Sequence, residues 1–426
     1  MGGGLLQLVA YGAQDAYLSG NPQITFWKGL FKRHTNFAME PFRVNLTGQP
    51  SWGTKHSAIL GRHADLIASS YIEVELENGE AANVLGDTIV NLVDYVELDI
   101  GGQVIDRQYG EFMAIWGQLT FPADKYFLWS ALQNAGVVDS NPCGLGGRPS
   151  RGNVIYIPLQ FFFCRNPGMA LPLIALQYHE VKINILWNEA KLIFDRYLST
   201  ETPPPGKRVG DIKNASVGPK QANLLVDYVY LDVEERRRMA QESHEYLIEQ
   251  TQFNEDKGLT SGQNRVDLTF NHPVKELIWV TQKSARRDCR LAAATDQITP
   301  LVSDAIIYDC SLQLNGQDRV PSLPGRYFNT VQPFQHHSGS GVSRAGFGTS
   351  NDPGVYMYSF AIKPEEHQPS GTCNFSRIDT ATIVFSVDGS KAISNIDSQN
   401  YDIRVYAINY NILRIMSGMG GLAYSN

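Results

Sequence analysis

The amino-acid sequence of 426 residues lacks the features that define several large classes of protein. No apolar run approaches the ~20 residues that a membrane-spanning helix needs, and the longest candidate, 154–164, is interrupted by Pro158 and Gln160. The five cysteines are far apart, which excludes a CxxC metal pair and a small disulfide framework. Acidic residues outnumber basic ones by 43 to 36, and the net charge of −7 argues against a protein that coats nucleic acid.

Catalytic motifs are also missing. There is no GxxxxGK[ST] phosphate loop and no GxSxG nucleophile elbow. The pairs His179-Glu180 and His244-Glu245 begin like the zinc motif HExxH, but isoleucine stands at the fifth position of each. His336 and His337 are adjacent, so on a strand they would face opposite sides, whereas a cupin-like metal site needs His-x-His. The sequence therefore predicts no catalytic residue, no cofactor and no metal site, which favours a binding or structural protein over an enzyme.

The sequence does contain many short segments in which polar and apolar residues alternate. A period of two is typical of a half-buried β-strand. The segments are 69–76, 93–100, 181–185, 226–231, 278–280, 383–387 and 403–407. Because turn-forming residues separate them, they predict an all-β sandwich or barrel rather than alternating strands and helices. Helices are expected at 109–119 and 235–250.

Two observations divide the chain near its midpoint. The stretch 203–221 is rich in proline and glycine, and proline cannot donate to a sheet ladder. The segment Leu98–Gln103 resembles Leu312–Gln317 at an offset of 214 residues, and both run from an alternating strand into a glycine-containing hairpin turn. A weaker similarity pairs 172–175 with 376–379, each of which precedes an alternating strand. We therefore predict two all-β domains of similar plan. The predicted division is an N-terminal arm at 1–24, a first domain at 25–202, a linker at 203–221 and a second domain at 222–426.

Five blocks of sequence add a resemblance that spans nearly the whole chain. They are GGGLLQLVAYGAQDAYLSGNPQITFWKGLFKRHTNFAME (2–40), IPLQFFFCRNPGMALPLIALQYHEVKI (157–183), YLDVEERRRMAQESHEYLIEQTQ (230–252), YMYSFAIKPEEHQPSGTCNFSRIDTAT (356–382) and YDIRVYAINYNILRIMSGMGGLAYSN (401–426). In this order they resemble the major capsid proteins of nucleocytoplasmic large DNA viruses, in the branch of the algal and related giant viruses.

The resemblance implies a fold and a function. The fold would be a double jelly roll, two eight-stranded antiparallel sandwiches in tandem with short helices in the loops. Three chains would form a homotrimeric capsomer of pseudo-hexagonal outline, and capsomers would tile an icosahedral shell around an internal membrane. The expected partners are the chain itself, neighbouring capsomers, and minor capsid and penton proteins. The chain would be made and assembled in the host cytoplasm and reside in the virion, without sequence-specific nucleic-acid binding.

The N-terminal arm, two glycine-rich stretches and three glycosylation sequons each lead to a further prediction. The arm has an apolar stripe at 5–11, which we expect to be buried against a neighbouring chain, a minor capsid protein or the inner membrane. The Gly/Ser-rich stretch 335–353 and its counterpart 139–152 are expected to be exposed, outward loops. Three asparagines begin glycosylation sequons and are candidate glycan acceptors: Asn45, Asn214 and Asn374.

A carbohydrate-binding jelly roll is the alternative function. Such a protein needs tryptophans and tyrosines clustered with acids on one concave face. The six tryptophans here are scattered along the chain, and several lie in apolar strand patterns, so core packing is expected for them. A cupin-like enzyme is a third alternative, and the missing His-x-His argues against it.

Overall fold

The structure, a computed structural model, describes residues 2–27, 29–76, 92–132, 154–189, 218–259, 262–283, 307–339, 354–387 and 401–425. The chain forms two compact units, Met1–Phe37 and Ala38–Asn426. The first unit contains two short helices, α1 (Gly3–Val9) and α2 (Asp15–Ser19), in which no side chain is buried. It extends beyond the arm predicted at 1–24 because the first strand of the chain starts only at Phe37.

The second unit consists mainly of strands. They are β1 Phe37–Asn45, β2 Lys55–Ile59, β3 Leu66–Glu75, β4 Val93–Ile100, β5 Gln103–Tyr109, β6 Val154–Pro158, β7 Leu171–Pro172, β8 Val181–Trp187, β9 Gln221–Leu231, β10 His244–Leu259, β11 Gly262–Leu268, β12 Pro273–Lys283, β13 Ile307–Leu314, β14 Gln317–Pro324, β15 Val355–Ser359, β16 Cys373–Asn374, β17 Ala381–Val387, β18 Tyr401–Met416 and β19 Met419–Leu422.

Short helices occupy the connections. They are α3 Gly110–Thr120, α4 Ala123–Leu132, α5 Phe162–Arg165, α6 Val233–Gln241 and α7 Gln332–His336, with 3₁₀ turns at Pro167–Met169 and Phe375–Arg377 and a π-helical turn at Tyr327–Val331. The helix predicted at 109–119 is confirmed. The one predicted at 235–250 is only partly right, because β10 begins at His244 and pairs with β18, and this tertiary pairing prevails over helix propensity. No helix among the described residues is long and apolar enough to cross a bilayer.

The strands form two sandwiches with the same topology. In the first sandwich the sheets are ordered β1-β9-β3-β6 and β2-β8-β4-β5, and in the second β10-β18-β12-β15 and β11-β17-β13-β14. Each strand of the first sandwich thus has a counterpart in the second. The short strands β7 and β16 also correspond, since β7 pairs with β3 as β16 pairs with β12. Four-stranded antiparallel sheets packed in this order are the jelly-roll arrangement, which confirms the double jelly roll.

Strand β9 changes the predicted domain boundary. The sequence expectation placed the second domain from residue 222 onward, but β9 pairs with β3, for example Leu224 opposite Ile72, and closes the first sandwich. A proline-rich stretch interrupts strands, yet it does not distinguish a loop inside a domain from a linker between domains. The stretch 203–217 lies outside the described residues. We therefore propose that the boundary falls between β9 and β10.

The hairpins that suggested an internal repeat are equivalent in the structure. Strands β4 and β5 join through Gly101 and Gly102, with φ of 62° and 87°, and β13 and β14 join through Asn315 and Gly316, with φ of 49° and 76°. Two consecutive positive φ angles fit a type I′ turn, whose twist matches that of the flanking strands. The similarity at an offset of 214 residues therefore reflects the same hairpin in both sandwiches.

Candidate functional site at the junction of the two sandwiches

Helix α3 joins the two sandwiches. Its sequence, GEFMAIWGQLT, is mostly apolar, and every residue from Gly110 to Leu119 is buried, as expected for a helix with little polar surface. One side contributes Met113 and Ala114 to the core of the first sandwich. The other side packs against β12, β15 and β18 of the second sandwich through Phe112, Ile115, Trp116 and Leu119. These contacts make a third apolar core that belongs to both sandwiches.

A buried carboxylate ties the start of α3 to β18. The Arg404 guanidinium lies 2.8 Å from Glu111 Oε1, and the Tyr406 hydroxyl donates a hydrogen bond of 2.7 Å to Glu111 Oε2. Burial, together with the negative charge of Glu111, raises the pKa of Tyr406 well above its usual value. The tyrosine is therefore held as a neutral donor, and the ion pair fixes the helix relative to the strand.

A second buried carboxylate, Glu249 on β10, holds two cations. Its Oε1 lies 2.6 Å from Lys275 Nζ on β12, and its Oε2 lies 2.9 Å from Arg165 Nη1 on α5 of the first sandwich. Lys275 is fully buried. The Arg165 guanidinium also stacks 4.2 Å from the Trp116 ring. Burial opposes ionisation of Glu249, but the two cations outweigh it and lower its pKa.

A buried histidine forms the third polar contact. His337 Nε2 lies 2.9 Å from Glu276 Oε2, and its Nδ1 lies 2.9 Å from Glu365 Oε1. Burial favours the neutral ring, but the charges and hydrogen bonds of the two carboxylates prevail and raise the pKa of His337 to about 9. The ring also meets Trp116 edge-on, with centroids 6.0 Å apart. The protonated histidine thus connects the second sandwich to α3.

The segment after His337 also attaches to α3. The backbone N–H of Gly339 donates to the carbonyl of Leu119 at 2.7 Å, and the Ser338 hydroxyl donates to the carbonyl of Thr120 at 3.0 Å. These bonds satisfy carbonyls at the C-terminal end of the helix. The expectation of an exposed loop from residue 335 onward is wrong for His337, whose side chain is buried between the two carboxylates, whereas Gln335 and Ser338 are exposed. The rest of 335–353, and all of 139–152, lie outside the described residues.

Strands β5 and β10 meet along the edge of the junction. Asp106 Oδ1 accepts a hydrogen bond of 2.9 Å from the Thr251 backbone N–H, and the Gln250 side chain donates to the carbonyl of Ile105. Burial outweighs these bonds and raises the pKa of Asp106 to about 6. The edge of a first-sandwich sheet is thereby covered by the second sandwich.

The C-terminal hairpin β18–β19 reaches back to the first sandwich. The Tyr178 N–H donates to the carbonyl of Gly418 at 2.9 Å, and His179 Nδ1 lies 3.0 Å from the carbonyl of Gly420. Leu413 and Ile415 of β18 belong to the first core. The junction therefore has a helix, an edge and a hairpin, each contacting both sandwiches.

The histidine pairs that resembled zinc motifs serve structural contacts. His179 bonds the hairpin, and the His244 ring lies 2.8 Å from the carbonyl of Met239. Glu245 pairs with Arg414 at 2.8 Å. No group of three histidine, cysteine, aspartate or glutamate side chains within the described ranges could hold a metal ion.

The candidate glycan acceptors are separated in the structure. Asn45 is exposed at the end of β1 in the first sandwich. Asn374 is exposed on β16 in the second sandwich, and its Oδ1 accepts a hydrogen bond of 3.1 Å from the Ser376 N–H. Asn214 lies outside the described residues. Glycosylation at these positions stays a prediction.

Five of the six tryptophans pack in cores. Trp52, Trp129 and Trp187 belong to the first core, Trp279 to the second and Trp116 to the shared one. Trp27, in the unit Met1–Phe37, is exposed. The tryptophans of the sandwiches are thus occupied in packing, which confirms the expectation for them and removes the main feature of a sugar-binding face.

These features define a tandem jelly-roll protein whose two sandwiches share buried apolar and ionic contacts. Two family models match the chain, "Major capsid protein N-terminus" at residues 25–232 and "Large eukaryotic DNA virus major capsid protein" at residues 235–421. The chain belongs to the family of major capsid proteins of large eukaryotic DNA viruses. The two matched ranges meet between β9 and β10, where the strand pairing also divides the sandwiches.

Individual relatives cover the full length. The major capsid protein of Pyramimonas orientalis virus is 43% identical over 441 residues, and that of Paramecium bursaria Chlorella virus 1 is 39% identical over 468 residues, with 100% of each chain covered. A chain in a quasi-atomic model of the PBCV-1 virus capsid superposes with a TM-score of 0.74 at 33% identity, covering 94% of this chain and 100% of that one. The relatives are structural proteins of virions rather than enzymes. The resemblance seen in the sequence is confirmed.

Proposed function

We propose that the chain forms homotrimeric capsomers of pseudo-hexagonal outline, which tile the icosahedral shell of a large DNA virus. The observation that carries the proposal is the strand-for-strand equivalence of the two sandwiches. Three chains related by a threefold axis supply six similar sandwiches, and six similar bodies around one axis give a nearly hexagonal tile. Buried junction contacts keep the two sandwiches of each chain in one orientation, as a regular tile requires.

The expected partners follow from that role. Capsomers contact neighbouring capsomers on their sides, and minor capsid and penton proteins where the lattice needs support or closure. Synthesis and assembly take place in the host cytoplasm. The net charge of −7 supports the absence of sequence-specific nucleic-acid binding.

The first prediction concerns the oligomeric state. In size-exclusion chromatography with light scattering, the purified chain is expected to elute as one species near three times 47.4 kDa. Species larger than three chains are not expected from this interface, because a closed threefold ring leaves no unsatisfied interface of its own kind. A stable monomer that binds sugars would instead support the carbohydrate-binding alternative and contradict the capsomer.

The second prediction concerns the arm. Leu5, Leu6, Leu8, Val9 and Tyr11 are 59–79% exposed within their own unit, and an apolar stripe of this size requires a partner surface. We propose that it binds a neighbouring chain, a minor capsid protein or the inner membrane. Deleting residues 2–20 should leave trimers intact in light scattering and prevent complete shells in electron microscopy. Complete shells from the truncated protein would contradict this role.

A further inference from the structure

The contact between the sandwiches is asymmetric, because the first sandwich contributes a helix and the second contributes a sheet face. Helix α3 follows β5 of the first sandwich and lies on the outer face of the second-sandwich sheet β10-β18-β12-β15. The counterpart of β5 is β14, and the counterpart of that sheet is β1-β9-β3-β6. The second sandwich therefore has an equivalent helical segment, and the first has an equivalent sheet face. Among the described residues, neither belongs to the apolar core that the two sandwiches share.

The equivalent helical segment is Tyr327–His336, which follows β14 as α3 follows β5. Phe328 points into the core of the second sandwich, as Met113 of α3 points into that of the first. The opposite side is uncovered: Phe334 is 87% exposed. Ile362 is 71% exposed, and its backbone carbonyl lies 3.0 Å from Nδ1 of His336, two residues after Phe334. In α3 this outward side carries the residues that enter the shared core.

The equivalent sheet face carries an apolar row across three strands. Tyr71 on β3 is directly opposite Leu225 on β9 and Pro158 on β6. Their neighbours Ile72 and Leu224 are fully buried in the core, so by strand alternation the row points outward. All three side chains of the row are only partly buried.

The corresponding row in the second sandwich shows what covers such a face. Ile278 on β12 is opposite Met357 on β15 and Tyr406 on β18. All three are buried, and they lie beneath α3 in the shared core. The row Tyr71, Leu225 and Pro158 is the equivalent position in the first sandwich, and its side chains are only partly buried.

We propose that the Phe334–Ile362 surface of one copy packs on the outward row of Tyr71, Leu225 and Pro158 in a second copy of the chain. The contact inside the chain is thereby repeated between chains. This inference rests on the proposed trimer, because a ring of six sandwiches has three internal junctions and three external ones. A heterologous contact of this kind closes when the rotation matches the ring. An exposed aromatic side chain entering a half-apolar face is typical of the residues that dominate interface energy.

Cross-linking tests the pairing. The double variant F334C/L225C and the alternative F334C/Y71C are prepared as trimers and treated with a short bismaleimide. Most of the protein is expected to run as covalent dimers and trimers on a denaturing gel. The matched control is Y308C/L225C, since Tyr308 is also an exposed aromatic, 69% exposed, of the second sandwich. Four of the five native cysteines, Cys143, Cys164, Cys289 and Cys373, are replaced by serine in every protein, and Cys310 is buried. The control and the chain without added cysteines should therefore remain monomeric on the gel.

The outcomes separate the two proposals. Cross-linking of the F334C pairs above the control supports the interface. Trimers in light scattering whose F334C pairs do not cross-link above the control overturn the interface and leave the capsomer intact. A wild-type chain that is monomeric in light scattering overturns both. The variant F334E should shift the population from trimer to monomer. The unfolding transition of the monomer should be unchanged. A fully trimeric F334E protein would contradict the inference.

Discussion

Replacing Glu249 with alanine is expected to lower the free energy of unfolding by about 3–5 kcal/mol, the range for removing one partner of a buried ion pair. Glu249 is the shared counter-charge of Lys275 and Arg165, which lie 2.6 and 2.9 Å from its two oxygens. Without it, the fully buried Lys275 side chain and the Arg165 guanidinium lose their shared counter-charge. Denaturant unfolding followed by tryptophan fluorescence measures the change, and Trp116 reports on the same site because Arg165 stacks on it.

Glu245 provides the matched control on the same strand. It pairs with Arg414 at 2.8 Å, but both side chains are at least half exposed. Water screens such a pair, so E245A should change stability little. Both variants remove a paired glutamate from β10. The difference between their free energies of unfolding therefore measures the effect of burying the ion pair. Equal effects of the two substitutions would show that the Glu249 cluster does not hold the junction.

Local patterns were enough to predict an all-β chain with two similar domains, whereas the jelly-roll arrangement was predicted from the resemblance to the capsid proteins. The turn dipeptide Gly101-Gly102 and its counterpart Asn315-Gly316 specify hairpins through their backbone conformation alone, so short sequence carries the information. The boundary of the first sandwich was not accessible in this way. Whether β9 closes the first sandwich or opens the second depends on its pairing with β3, a contact between residues far apart in sequence.

Most contacts of the junction could not be predicted from the sequence. Lys275 and Glu276 are adjacent charged residues near the start of β12, and charged residues in a strand normally face water, yet both are fully buried. Their partners Glu249 and His337 come from other parts of the chain, so no spacing within the local sequence indicates these ion pairs. One feature of the sequence did indicate a buried contact. The segment of helix α3 is mostly apolar, and a helix with little polar surface is normally buried by other parts of the protein. Charged side chains within apolar strands near such a helix are the pattern to look for.

Raising the pH is expected to weaken the junction through His337. The folded-state pKa is about 9, against 6.5 for the free side chain, so the folded protein binds more protons than the unfolded one between these values. The stabilisation from Glu276 and Glu365 is therefore complete below pH 6.5 and lost as the pH rises through about 9. A shift of this size corresponds to about 3 kcal/mol. The depressed pKa values of Glu249 and Glu365 act in the opposite direction and only at acid pH.

Asp106 titrates in a lower window and does not obscure the effect. Its pKa is raised from 3.8 to about 6, so the stability that it contributes as a neutral acid is lost before the His337 window is reached. Unfolding free energies measured at pH 6.5 and at about pH 9 therefore report mainly on His337. The wild-type protein should be less stable at the higher pH.

The variant H337Q should remove most of that pH dependence, because glutamine carries no titrating charge, while lowering stability at pH 6.5 where the imidazolium is present. Its neighbour provides the control: the H336Q protein should keep the wild-type slope, since His336 Nδ1 bonds the backbone carbonyl of Ile362 rather than a carboxylate. If H337Q and the wild-type chain lose the same free energy between the two pH values, the protonated histidine is not what couples the second sandwich to helix α3. If only H337Q flattens the profile, the charge that links Glu276, Glu365 and α3 is carried by this ring.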